Sequence, residues 1–172
     1  MPTDREVRSL VNDLSPPSRL GLLLALLAGL RDAEVYRVER EHYSPADGTL
    51  SIPAEIRKNG VGNIVPVVAS LGGAIGGPGK YPGGSTIITP SQSVVRLELR
   101  NATKGFDNSW SGFQPARRAL VTWAEDAGFT QDTIALVTGH ARTDIVSRYS
   151  AEYGRLELKQ AVIESVERRL NA

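Results

Sequence analysis

Chemistry is scarce in this sequence, and the scarcity narrows the reading. The 172 residues include no cysteine and two histidines. Thiolate nucleophiles, cysteine zinc sites and disulfide frameworks are excluded, and a histidine-built metal centre has too few ligands. There is no HExxH, no GxSxG and no paired-carboxylate cluster. What remains is Arg31 after a glycine break, Lys58 in a turn-rich stretch, Arg117-Arg118 opening a helix, His140 after Gly139, and Tyr149. Two arginines, a lysine, a histidine and a tyrosine brought together make a cationic pocket. Such a pocket holds a phosphodiester and stabilises charge on its equatorial oxygens without a metal. A tyrosine within it is a candidate nucleophile, because covalent catalysis needs an activated oxygen beside the electrophile. Each residue also has a plainer reading. Gly-His at a helix end serves as a cap or dipole partner. Tyr149 fits a core aromatic, and Arg31 can pair with Glu34 three residues on.

These side chains need elements to carry them. Thr3-Asp-Arg-Glu6 is a capping box, followed by Val7, Leu10, Val11 and Leu14 at helical spacing. That helix ends before Pro16-Pro17. A second helix over 17–28 is apolar nearly all round and is therefore buried. Gly29-Leu30 breaks it, and a short helix is expected over 31–38. Thr49 to Ile52 and Asn63 to Val67 flank the turn-rich Lys58-Asn-Gly-Val-Gly, which reads as a β-hairpin with a third strand from Glu41 to Ser44. Ser70 to Ser85 holds seven glycines in sixteen residues. With no Gly-Lys-Ser/Thr and no clean GxGxxG, it reads as a loop after one weak helical turn, not a phosphate cradle. Thr86 to Ile88 suggests a short strand. Helices are expected over 91–104, 115–127, 131–138 and 155–170, with Gly128 and Gly139 where helix C-termini want them. The fold class is α+β, mainly helical, with a small antiparallel sheet on one edge.

The length suits one domain with one core. The longest apolar run, Leu20 to Leu30, is too short to cross a bilayer and lacks signal-peptide flanks. A soluble, cytoplasmic protein is expected. A net charge of +1 argues at first against a nucleic-acid partner, but it hides a segregation. Residues 51–122 carry eight basic and three acidic side chains, whereas each flank carries six basic and eight acidic. A polyanion responds to the local field, so the basic middle matters more than the total. Arginine outnumbers lysine sixteen to four, and arginine suits bidentate phosphate contacts.

Order and spacing add a resemblance. Gly29-Leu-Arg-Asp-Ala-Glu34 resembles the TGLRxxE box of tyrosine recombinases, the phage integrase family. Ile52-Pro-Ala-Glu-Ile-Arg-Lys58, then Ile64-Val-Pro-Val67, is similar to that family's hairpin with its lysine and VPL-like strand. Gln114-Pro-Ala-Arg-Arg-Ala-Leu-Val-Thr122 resembles its HxLRRTxxT box. Leu136-Val-Thr-Gly-His140 and Arg148-Tyr149 resemble its closing LGH and tyrosine, at the family's usual interval. The four boxes stand in the family's order, and the resemblance spans residues 3 to about 153.

The resemblance implies a tyrosine-recombinase catalytic fold and a metal-independent, cofactor-free enzyme that cuts and rejoins DNA. Arg31 and Arg117 would grip the non-bridging oxygens of the scissile phosphate. Lys58 would protonate the leaving 5′ oxygen, and His140 would hydrogen-bond the phosphate. Tyr149 would attack phosphorus and form a 3′-phosphotyrosyl link. A free tyrosine titrates at about 10, and a crowd of cations favours its phenolate. Glu34 matches a carboxylate that supports the first arginine. Tyr153 lies four residues past the expected nucleophile position. Two positions depart from the pattern. Gln114 stands where the family has a histidine; an amide can still position a phosphate but cannot transfer protons near neutral pH. Ala119 stands where threonine is common.

The resemblance also implies double-stranded DNA as partner, a tetramer on DNA and a monomer as an isolated domain. The chain reads as the catalytic domain over 1–172, with a tail helix over 155–172 and without the helical domain that such enzymes place on the other face of the DNA. A phage or mobile-element integrase is the leading reading. A Xer-like resolving recombinase and a catalytically weak DNA-binding module of the same fold are the alternatives.

Overall fold

The computed structural model describes residues 1–76, 86–88, 90–107, 110–139 and 152–172, with the backbone alone for 152–154. Helix α1 spans Asp4–Asp13. Its capping box forms as the sequence implies: the Thr3 amide donates to the Glu6 carboxylate at 2.6 Å, and the Glu6 amide donates to Thr3 Oγ1 at 3.3 Å. Helix α2 spans Pro16–Leu27 and is buried along nearly its whole length. Ser15 precedes it without a side-chain cap of its own. Glu98 supplies one instead, accepting from the Ser15 amide at 2.6 Å and from the Ser15 hydroxyl at 2.7 Å. A carboxylate there satisfies orphan donors and complements the positive end of the helix.

Helix α3 spans only Asp32–Val35, shorter than the expected 31–38. The reason is tertiary. Val38 turns its carbonyl to the Ile87 amide at 2.9 Å, and Arg37 donates to the carbonyls of Glu55 and Ile56 at 2.6 and 3.1 Å. Those pairings pull the chain out of helical geometry. A 3-10 turn at Arg40–His42 leads into the sheet. Strands β1 (Tyr43–Ser44), β2 (Thr49–Ile52) and β3 (Asn63–Pro66) pair antiparallel in the order β1-β2-β3. Leu50 stands opposite Val65 and Ile52 opposite Asn63. Leu50, Ile52 and Val65 are buried, as period-two alternation requires of a half-covered sheet.

Ala69–Ile75 forms helix α4, where a single weak turn was expected. Leu71 and Ile75, four apart, share one face and are fully buried, so tertiary packing overrides the low propensity of its two glycines. Thr86 makes one isolated bridge with Glu39 instead of a strand. The rest of the glycine-rich stretch, 77–85, lies outside the described residues. Helices α5 (Gln92–Ala102), α6 (Gln114–Asp126) and α7 (Gln131–Thr138) follow the expected periodicity. Helix α8, Glu152–Asn171, begins three residues earlier than expected. Helix α2 packs against α1, α4, α5, α6 and α8. A helix with neighbours on all sides must be apolar all round, and each fully buried leucine contributes about 1.5–3 kcal/mol.

The result is a mainly helical fold with a small three-stranded antiparallel sheet. Among the described residues, no helix is long and apolar enough to cross a membrane.

Candidate active site

The site is built where α2 gives way to α3. Gly29 turns the chain with φ +65, and a Cβ there would stand 3.2 Å from the Val137 carbonyl oxygen and 3.3 Å from Leu120. Both the left-handed backbone and the close approach call for glycine. Two residues on, Arg31 caps α3. Its amide donates to Glu34 Oε2 at 2.9 Å, and its Nε lies 4.0 Å from Glu34 Oε1. The local pairing that competed with a functional reading therefore exists. Its two members differ in exposure: the Arg31 side chain is 34% exposed, the Glu34 side chain 3%. The guanidinium of Arg31 keeps a face to solvent while its carboxylate partner lies beneath it.

Arg117 comes to the same place from α6. It is buried, and it donates to the Gly29 carbonyl and, at 2.9 Å, to the Thr138 carbonyl. The start of α6 is anchored to α3 by Asp32. One carboxylate oxygen accepts from the Phe113 amide at 2.9 Å, and the other accepts from Gln92 and Arg96 at 3.0 Å each. Asp32 thus fixes the helix carrying Arg117 to the helix beginning at Arg31, with a carboxylate at the positive end of α6.

A third guanidinium joins them that motif reading missed. Arg57, beside the expected Lys58, is buried and donates to the Thr138 carbonyl at 3.1 Å. Its guanidinium lies against Gly139, at φ +69, in the space a Cβ would occupy. Nothing local marked Arg57: it follows Pro53 in an irregular turn without periodicity, and its partners are distant in sequence. Lys58 itself is exposed in that turn. Gln114 is exposed at the first position of α6, one turn before Arg117. Arg118, next to Arg117, is exposed and lines a separate cavity with Met1, Glu6 and Trp110. Ala119 is buried. His140 and Tyr149 lie outside the described residues, as does the side chain of Tyr153.

The electrostatics follow from burial. Desolvation pushes the Arg117 guanidinium down to about 10; Arg31 and Arg57 add to that push and Glu34 opposes it. Arg57 is lowered too, first by burial and then by Arg31, against Glu34. One carboxylate therefore serves three guanidinium groups among the described residues, and the cluster carries an excess of positive charge. Buried cations in excess are stabilised by an added anion, and arginine forks match the planar oxygens of a phosphate. A cavity of about 380 Å³ lies elsewhere, between the hairpin and α8, against Ile52, Asn63, Arg155 and Lys159. Glu39, Glu41 and His42 bring three ligand atoms within 4.8 Å of one another. His42 Nδ1 there already accepts from the Glu39 amide at 3.0 Å, so this turn is explained by its own backbone bonding.

The fold is that of a phage integrase. The integrase from mycobacterium phage Brujita matches with a TM-score of 0.70 at 18% identity. The match covers 99% of this chain and 63% of the Brujita integrase, so this chain spans less than two thirds of that protein. No family model matches the sequence, and no curated protein matches it. At this identity the likeness is one of fold. The integrase-like fold brings Arg31, Glu34 and Arg117 together from separate segments, with Arg57 beside them.

Proposed function

We propose that this chain is the catalytic domain of a site-specific DNA recombinase of the integrase kind. The observation that carries the reading is the convergence of Arg31 and Arg117, from two separate sequence boxes, over a single buried carboxylate within an integrase-like fold. In this reading Arg31 and Arg117 hold the non-bridging oxygens of a scissile phosphate and stabilise the charge that grows on them. Gln114, at the exposed start of α6, helps to position the phosphate by hydrogen bonding. His140 contributes a further hydrogen bond. The Tyr149 oxygen attacks phosphorus, the bond from phosphorus to the 5′ oxygen breaks, and Lys58 gives its proton to that oxygen. A 3′-phosphotyrosyl link and a free 5′ hydroxyl result. Attack by a 5′ hydroxyl from another strand reverses the step and releases the tyrosine, so the bond energy is conserved and no nucleotide cofactor is consumed. Double-stranded DNA is the partner, with a tetramer as the working assembly on DNA.

The test uses nicked duplexes randomised around the nick, so that the short strand departs after cleavage. Covalent protein–DNA adduct that disappears in Tyr149→Phe supports the reading. DNA binding without adduct, under the same conditions, would leave a non-catalytic DNA-binding module, the reading that the amide at Gln114 favours. Sequencing of the trapped strands distinguishes integrase-like from Xer-like targets.

A further inference from the structure

The C-terminus of α7 poses a problem that the fold solves in an unusual place. The last carbonyls of any α-helix lack intrahelical donors. In α7 those of Leu136, Val137 and Thr138 point toward the β2–β3 hairpin, and side chains of the hairpin take each one. Asn63 Nδ2 donates to Leu136 and Val137 at 3.2 and 3.1 Å. Arg57 donates to Thr138 at 3.1 Å, and Asn59 Nδ2 donates to Gly139 at 2.9 Å. The donors are themselves held. Buried Lys159 of α8 donates to Asn63 Oδ1 at 2.8 Å, and Asn59 Oδ1 accepts from the Val61 amide at 3.2 Å. The Arg57 carbonyl accepts from the Gly60 amide at 3.1 Å, which shapes the turn bearing Lys58. The hairpin tip and the end of α7 are thus joined through Arg57, Asn59 and Asn63, with Lys58 between the first two.

We infer that Arg57, Asn59 and Asn63 form a clamp that holds the Lys58 turn and the Gly139 end of α7 as one unit, with Arg57 a positioning residue that sets where Lys58 delivers its proton. The clamp stands on the hydrogen bonds alone; its consequence for cleavage rests on the recombinase reading. Arg57 is buried and its Nη2 donates to a backbone carbonyl within the fold, so it acts through the turn and not by touching substrate. Asn59 is exposed, so its removal tests the clamp without opening the core.

Two measurements test this. The first needs no DNA. The Gly60 and Gly139 amides are both hydrogen-bonded, to the carbonyls of Arg57 and Ala135. Hydrogen exchange at both should quicken together, about tenfold in Arg57→Gln and less in Asn59→Ala, while both variants stay folded. Quickening confined to one of the two segments overturns the clamp. The second compares ordinary nicked duplexes with duplexes whose leaving 5′ oxygen is replaced by sulfur, a leaving group that needs no proton. Lys58→Ala and Arg57→Gln should each lose about a hundredfold or more in adduct formation on the oxygen substrate and recover most of it on sulfur. Recovery of Lys58→Ala but not Arg57→Gln overturns the positioning role. Absence of adduct from the wild-type protein on either substrate overturns the recombinase reading and this role together, and leaves the exchange result to decide the clamp.

Discussion

Arg57 and Arg117 donate to the same carbonyl oxygen, that of Thr138, at 3.1 and 2.9 Å. One arrives from the hairpin turn, the other from α6. A carbonyl has two lone pairs and can accept both, but two guanidinium groups that close repel each other. Glu34 offsets the repulsion, and the Thr138 oxygen at the negative end of α7 adds to it. The last turn of α7 is therefore the hub on which Arg57 and Arg117 are set.

Arg117→Lys should fold less stably and act poorly. The ammonium cannot reach the Gly29 and Thr138 carbonyls at once, and a buried carbonyl left without its donor costs about 1–3 kcal/mol. Loss of the fork should lower adduct formation by about 10²–10³-fold. Thermal unfolding and adduct kinetics, measured side by side, separate the two effects; unchanged adduct formation would remove Arg117 from the phosphate.

Sulfate should bind at this cluster of guanidinium groups. Its addition should raise the unfolding temperature of the wild-type protein beyond the effect of sodium chloride at equal ionic strength. Arg31, a third exposed, can be removed without opening the core, and Arg31→Ala should weaken the sulfate response by about tenfold or more. Equal responses in the two proteins would place the sulfate elsewhere. Because Arg117 is pushed down only to about 10, the response should be flat between pH 6 and 8 and decline as pH rises through 10, where half of that guanidinium has lost its proton.

Gln114→His should keep or raise adduct formation. Gln114 is exposed at the start of α6, where an imidazole fits without displacing core side chains. A large loss, with stability unchanged, would mean that the site depends on the amide itself.

Gly139→Ala should cost more than about 2 kcal/mol. A left-handed backbone costs an L-residue roughly 1–2 kcal/mol, and the new methyl would displace the Arg57 guanidinium. Gly48→Ala is the control, with φ +62 and open space around it. Equal losses, read by denaturant unfolding, would mean that Arg57 does not press on Gly139.

Asp4→Asn should lower stability modestly, by about 0.5 kcal/mol, because the pair it breaks is largely solvated. Asp4 binds Arg169 at 2.8 Å, and Arg169 also binds Asp126 at 2.7 Å, which ties α1, α6 and α8. The hydrogen bond from Arg169 holds the Asp4 carboxyl below its ordinary 3.8. The unfolded chain therefore takes up the proton first as pH falls. The contribution is complete above pH 3.8 and disappears below it, so the difference between wild type and Asp4→Asn should vanish in acid. A difference that persists at pH 2 would assign it to packing.

The sequence alone settled what was local. The Thr3–Glu6 box named the start of α1, the apolar run named the buried α2, and Gly139 named the end of α7, because caps and periodicity depend on neighbours a few residues apart. Four boxes in order singled out Arg31, Glu34 and Arg117, which the fold brings together; His140 and Tyr149 lie outside the described residues. Where distant segments compete, the sequence was silent. It extended α3 to residue 38, but Val38 pairs with Ile87. It allowed α4 one turn, but burial of Leu71 and Ile75 supports two. It gave Arg57, beside Lys58, no role. Only the tertiary structure shows Arg57 buried on Thr138, Asp32 fastening α6 to α3, and the hairpin supplying the donors that end α7. A sequence carries the periods that build elements. It does not carry which orphan carbonyl a distant side chain will satisfy, because that is decided when the elements pack and every buried polar group must find a partner.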